Sequence, residues 1–121
     1  MKKRIRTAIY CRVASRQPED RDMAESQKYR LRAYADSTGR LIVNETVEYE
    51  KGISIDRPGV KSLRQLAVNH QIDEILVVNA DRVCRNTKEL IDFISAMKDY
   101  NVNVTTPSGD LSSRFLSIFG E

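Results

Sequence analysis

Ile75-Leu76-Val77-Val78, entered from Glu74 and left through Asn79, is a run of four aliphatic residues with nothing polar between them. A strand with one wet face alternates apolar and polar residues. A run without alternation suits a strand covered on both faces, as in a parallel sheet lying between helices. That reading calls for helices on either side of the run, and the chain supplies them. Val60 to Asn69 sets Leu63, Leu66 and Ala67 on one helical face, and Asn86 to Tyr100 does the same with Leu90, Ile91, Ile94 and Met97.

The rest of the chain extends the alternation. Ile5 to Val13 is rich in β-formers and reads as a strand ending near Arg12. Ala14 to Asp20 is polar, contains Pro18 and reads as a loop, followed by a helix over Arg21 to Ser37 carrying Gln27, Leu31, Tyr34 and Ala35. Gly39 stops that helix, and Leu41 to Tyr49 is a second strand. Lys51 to Gly59, with Gly52, Ser54, Asp56 and Pro58, reads as a loop. Val102 and Val104 form a short fourth strand, Pro107 to Asp110 a turn, and a last helix opens at Ser112 with Phe115, Leu116, Ile118 and Phe119. Such alternation folds into a layered α/β domain through right-handed crossovers. If the first three strands are parallel, the loops that follow them gather at one sheet edge, where open α/β folds place their sites.

The 121 residues suit one compact domain. The net charge of +3 says little, but its distribution says more: the first sixteen residues carry Lys2, Lys3, Arg4, Arg6, Arg12 and Arg16 with no acid. Such a run is either part of a phosphate-binding footprint or a solvated tail. Two cysteines, Cys11 and Cys84, and one histidine, His70, give neither a four-ligand zinc site nor a disulfide framework, so no metal or cofactor is expected. A reducing, cytoplasmic location fits this usage. No apolar run follows the basic N-terminus, and none approaches the ~20 residues of a membrane span. A soluble protein is expected.

The common α/β chemistries find no residues. There is no Gly-x-Gly-x-x-Gly after the first strand, no Gly-Lys-Ser/Thr loop and no Gly-x-Ser-x-Gly elbow. His70 sits at a helix end, where a cation suits the helix dipole, far from any strand-end serine. What remains is a set of arginines. Arg12 leaves the first strand, Arg57 lies in Ile-Asp-Arg-Pro-Gly, and Arg82 and Arg85 follow the third strand in Ala-Asp-Arg-Val-Cys-Arg. Guanidinium groups match phosphate oxygens with forked donors and stay charged, so three loops delivering them to one edge could meet the charge on a reacting phosphorus. The competing reading is ordinary ion pairing, for example Asp56 with Arg57.

Four stretches resemble the resolvase and invertase family of serine site-specific recombinases. Tyr-Cys-Arg-Val-Ala-Ser (10–15) is similar to that family's Tyr-x-Arg-Val-Ser-Ser/Thr opening, and Gln27 falls where it has a first-helix Gln. Tyr-Glu-Lys-Gly-Ile-Ser with Asp-Arg-Pro-Gly (49–59) resembles a shortened second-strand loop, and Asp81-Arg82-Val83-Cys84-Arg85 resembles its Asp-Arg-Leu-x-Arg signature. The likeness implies a three-layer α/β domain over residues 1–110, with a mostly parallel sheet of four to five strands flanked by helices. Residues 111–121 would open a truncated oligomerisation helix. It also implies DNA as partner, a homodimer or tetramer in the full-length form, and no small-molecule substrate.

The implied reaction is a transesterification in which a serine hydroxyl attacks a DNA phosphate, forms a 5′-phosphoserine link and expels a 3′-hydroxyl. Arg12, Arg57, Arg82 and Arg85 would hold the phosphate, Asp81 would orient arginines or handle protons, and Gln27 would support the nucleophile's loop. Glu50 stands where the family commonly has Asp. The departure is at the nucleophile: the family's Ser position is Ala14, and Ser15 follows one residue later. Either Ser15 serves from a shifted loop, or the domain is a non-catalytic DNA-associated or oligomerisation module on the same fold, in which Ser15 merely opens a loop. An unrelated flavodoxin-like ligand domain is the remaining alternative.

Overall fold

The computed structural model describes residues 3–118. Its central sheet holds β1 (Arg6–Val13), β2 (Leu41–Tyr49), β3 (Glu74–Leu76), β4 (Asn103–Thr106) and β5 (Gly109–Asp110), in the order β2-β1-β3-β4-β5. β1 pairs in parallel with β2 and β3, β3 in parallel with β4, and β5 closes the edge antiparallel to β4. The helices are α1 (Pro18–Ser37), α2 (Pro58–Val68), the single turn α3 (Ala80–Val83), α4 (Thr87–Asp99) and α5 (Leu111–Ile118). The expected three-layer α/β domain with a mostly parallel sheet is what forms.

The alternation of β1 sorts its side chains between two cores. Ile9 and Cys11 face α1 and pack with Leu31, Ala35 and Leu76. Ala8 and Tyr10 face the other layer, among Leu63 of α2, Phe93 and Ile94 of α4, Ile75 and Val104. From β1 the chain steps outward to β2, then reverses across β1 to β3. Right-handed crossovers put the helices of two opposite steps on opposite faces. The loops leaving β1 and β3 therefore part to opposite sides of the sheet and leave a crevice at the switch point between them.

Several boundaries differ from the sequence expectation. Proline lacks an amide hydrogen and has a helix-ready φ, so it suits the first helical position. Accordingly α1 begins at Pro18 and α2 at Pro58, inside the stretches read as loops. β3 stops at Leu76 although the apolar run continues to Val78, and a further ladder bond, Val77 N–H to the Thr105 carbonyl at 3.0 Å, carries the chain on to α3. Residues 109–110 pair with β4 where the sequence predicts a turn, and α5 opens at Leu111. Phe119 to Glu121, part of the expected last helix, lie outside the described residues.

The N-terminal basic run proves to be divided. Arg4 donates to the carbonyls of Gly39 (3.1 Å) and Arg40 (2.8 Å), and Arg6 forks onto Asp73. Arg40 in turn pairs with the buried Glu74 at 2.7 Å. These groups lock the sheet edge at which β1 begins, opposite the edge that receives Arg12. His70 is exposed just past α2 with φ of 56°, its carbonyl accepting from Arg6.

Candidate active site

The C-terminal end of β1 is the centre of the site. Gln27, buried on α1, pairs its amide with both polar groups of the Arg12 backbone: the Arg12 N–H reaches Gln27 Oε1 at 3.2 Å, and Gln27 Nε2 reaches the Arg12 carbonyl at 3.0 Å. β1 stays paired with β2 to Val13 but its pairing with β3 stops at Ile9. Beyond that point backbone groups on the β3 side lack a ladder partner, and the side-chain amide supplies one.

The Arg12 side chain turns across the crevice and ties three segments together. Nε donates to the Arg82 carbonyl (2.9 Å), Nη1 to the Glu50 carbonyl (2.9 Å) and Nη2 to the Asp81 carbonyl (2.7 Å). Arg82 reciprocates through Nη1 onto the Arg12 carbonyl at 3.0 Å. Burial, followed by the positive charge of Arg57 and then Arg82 and Arg85, pulls Arg12 below the ordinary arginine range. Gly52 is required beneath this guanidinium, because a Cβ there would lie 2.5 Å from Arg12 Cζ and Nη2. With three bonds holding the guanidinium, it cannot swing aside freely. Gly52→Ala should therefore lower unfolding free energy by about 1–3 kcal/mol, the usual cost of overpacking, read as an earlier urea midpoint with unchanged slope.

Arg57 occupies the second layer. It is buried and donates to Glu48 Oε1 (3.2 Å), the Ser54 carbonyl (2.5 Å), the Tyr10 hydroxyl (2.8 Å) and the Val83 carbonyl. Tyr10 donates to Glu48 Oε1 at 2.5 Å, and the Gly59 N–H, at the start of α2, donates to Oε2 at 2.7 Å. Burial and then the Glu48 carboxylate push the Tyr10 phenol well above its usual range. For Arg57 burial opposes the charge, and the bonds to Tyr10 and Glu48 more than offset it, so its pKa is raised. The ion pairing imagined from sequence, Asp56 with Arg57, is replaced: Asp56 pairs with Lys61 and Arg57 with Glu48.

Tyr10 and Glu48 are site residues that sequence reasoning missed. Glu48 stands opposite Arg12 in the parallel register, two pairs beyond Tyr10 and Thr46. Only that register reveals that a strand glutamate shares the face of Tyr10 and Arg12.

Arg82 keeps donors in hand. Among the described residues its buried Nε has no partner, and neither has Nη2. Arg85 is exposed and fastened by its backbone, whose N–H reaches the Gly52 carbonyl at 3.0 Å. The carboxylates of Asp81 and Glu50 are exposed, and these two residues enter the brace through their carbonyls. The four arginines, Gln27 and Asp81 thus share one sheet edge. Ser15 lies just beyond, half-buried, with its hydroxyl bonded to Asp20 Oδ2 (2.6 Å) and accepting from the Gln17 N–H (3.1 Å). No bond between Ser15 and an arginine occurs among the described residues. Ala14, at the family's nucleophile position, is exposed.

A family model, the resolvase N-terminal domain, matches residues 7–117. The chain belongs to the resolvase family. This resolvase domain also superposes on solved structures. The N-terminal catalytic domain of TP901-1 integrase matches with a TM-score of 0.83 at 22% identity, over 93% of this chain and 90% of that one. The C-terminal catalytic domain of ISC1926 TnpA, an IS607-like serine recombinase, matches at 0.79 and 25%, over 94% and 79%. A resolvase family site-specific recombinase from Streptococcus pneumoniae matches at 0.77 and 24%, over 96% and 88%. Sequence comparison with curated proteins gives no match. Membership places the resolvase domain in site-specific recombination as a class of activity. Among the described residues, no helix is long and apolar enough to cross a membrane, and no group of three or more His, Cys, Asp or Glu is placed to hold a metal ion.

Proposed function

We propose that this domain cleaves and rejoins DNA strands by transesterification, with Ser15 as the nucleophile, working as an assembly of two or four copies. The observation that carries the reading is the gathering of Arg12, Arg57, Arg82 and Arg85 around one crevice that holds a single buried carboxylate, Glu48. Four guanidiniums against one buried carboxylate, with the Asp81 and Glu50 carboxylates at the exposed rim, suit a phosphodiester whose negative charge grows during attack.

The arginines divide the work. Among the described residues, Arg82 and Arg85 have donors without a protein partner, and these would grip the phosphate oxygens. Arg12 and Arg57 hold the three loops in place and add to the field. Gln27 fixes the strand end from which the nucleophile's loop departs, and Asp81 orients Arg12 through its carbonyl. Contacts of this kind read the sugar-phosphate backbone, so affinity should be steeply salt-dependent and nearly indifferent to sequence.

The test is covalent capture. Incubated with a pool of suicide duplexes of randomised sequence, the chain should form a protein–DNA adduct that survives denaturation, and Ser15→Ala should abolish it. An adduct undiminished in Ser15→Ala overturns Ser15 as nucleophile. The second reading is a DNA-associated module that does not cut, and Ala14 at the customary nucleophile position favours it; its signature is salt-dependent DNA binding with no adduct from the parent chain.

A further inference from the structure

We infer that Asp20 is a catalytic residue that takes the proton of Ser15, an assignment that rests on the strand-transfer reading above. The argument begins with how the first turn of α1 is finished. Ser and Asp near a helix start ordinarily accept from the free backbone N–H groups of the first turn. Here the N-cap position, Gln17, makes no side-chain cap bond, and Asp20 in the first turn bonds to the Ser15 hydroxyl instead. At 2.6 Å this has the length of a charge-assisted O–H···O⁻ bond.

The hydroxyl is thereby oriented. A serine oxygen has one hydrogen to give and two lone pairs. The hydrogen goes to Asp20 and one lone pair takes the Gln17 N–H, which leaves one pair for attack. The same N–H, at the positive end of a 20-residue helix, would steady negative charge growing on the oxygen. The loop is held at both ends. Val13 is in register with Tyr49, the Arg16 guanidinium stacks 4.3 Å above the Tyr49 ring, and Pro18 fixes the turn into α1. Three residues before Ser15, the Arg12 carbonyl is gripped by Arg82, so the hydroxyl and the phosphate-binding arginines spring from the same strand end.

The step balances as follows. The Ser15 Oγ–P bond forms and the P–O3′ bond breaks. The serine proton passes to the Asp20 carboxylate, and the departing 3′ oxygen takes a proton from solvent. Rejoining runs the same transfers in reverse.

The test compares parent, Asp20→Asn, Asp20→Glu and Ser15→Ala chains on the randomised suicide-duplex pool. General-base removal should slow adduct formation by about 100-fold or more in Asp20→Asn, with DNA binding and thermal midpoint close to the parent's, and Asp20→Glu should recover part of the rate. A rate in Asp20→Asn within about threefold of the parent overturns the assignment while leaving the strand-transfer reading intact. A parent that forms no adduct, or an adduct that persists in Ser15→Ala, counts against that reading instead. The role of Asp20 is then decided without DNA, by labelling Ser15 with diisopropyl fluorophosphate and locating the tag by mass spectrometry. Slower labelling in Asp20→Asn supports the pair, and equal labelling overturns it.

Discussion

Arg57→Ala should lower the unfolding free energy by about 3–5 kcal/mol, the usual cost of removing one partner of a buried ion pair. Glu48, only 8% exposed, would keep the Tyr10 hydroxyl and the Gly59 N–H but lose its counter-charge. The Ser54 and Val83 carbonyls would lose a donor as well, so the loop between β2 and α2 and the turn α3 would loosen together. Urea titration at neutral pH measures the loss. A double variant, Arg57→Met with Glu48→Leu, should recover only the share due to the uncompensated Glu48 charge, because the Tyr10 hydroxyl, the Gly59 N–H and the Ser54 and Val83 carbonyls would still lack these partners. A midpoint unchanged in the single variant would show that Arg57 braces nothing.

Arg82→Ala should act in the opposite way, sparing the fold and disabling the site. Among the described residues its one side-chain bond is to the Arg12 carbonyl, which keeps Gln27 Nε2 at 3.0 Å when Arg82 is removed. The stability cost should therefore be that of one hydrogen bond, about 1 kcal/mol. Adduct formation should fall by about 100- to 1,000-fold, as when a preorganised donor to developing charge is deleted. The slope of log affinity against log salt should drop by about one phosphate contact. Wild-type rate and slope together would remove Arg82 from the phosphate site.

The fold was legible in the sequence because its two strongest signals are physical necessities: an unalternating strand run and helical stripes on both sides of it. Ile75 and Leu76 do point to different cores, as a strand covered on both faces must. Boundaries failed where local chemistry outweighed pattern. Pro18 and Pro58 read as loop markers but open helices, and the apolar run past Leu76 leaves the sheet while staying largely buried. The edge to which the arginines come followed from the strand–helix alternation once the first three strands are parallel. Their division of labour was not, because it depends on which backbone carbonyls lie across the crevice. Glu48 and Asp20 escaped notice for a related reason: each gains its role from a partner that only register or loop geometry brings near.

The Arg12 brace has a further consequence. One side chain fastens residue 50 to residues 81 and 82, two segments far apart along the chain, and Gly52 lies directly beneath it. The Glu50 and Asp81 carbonyls share that one guanidinium as donor, so a disturbance of Arg12 reaches both loops. The Arg85 N–H on the Gly52 carbonyl, and Arg57 on the Ser54 and Val83 carbonyls, keep those loops joined to each other. An anion drawn into the crevice would therefore meet loops tied to one another, not surface segments that move independently.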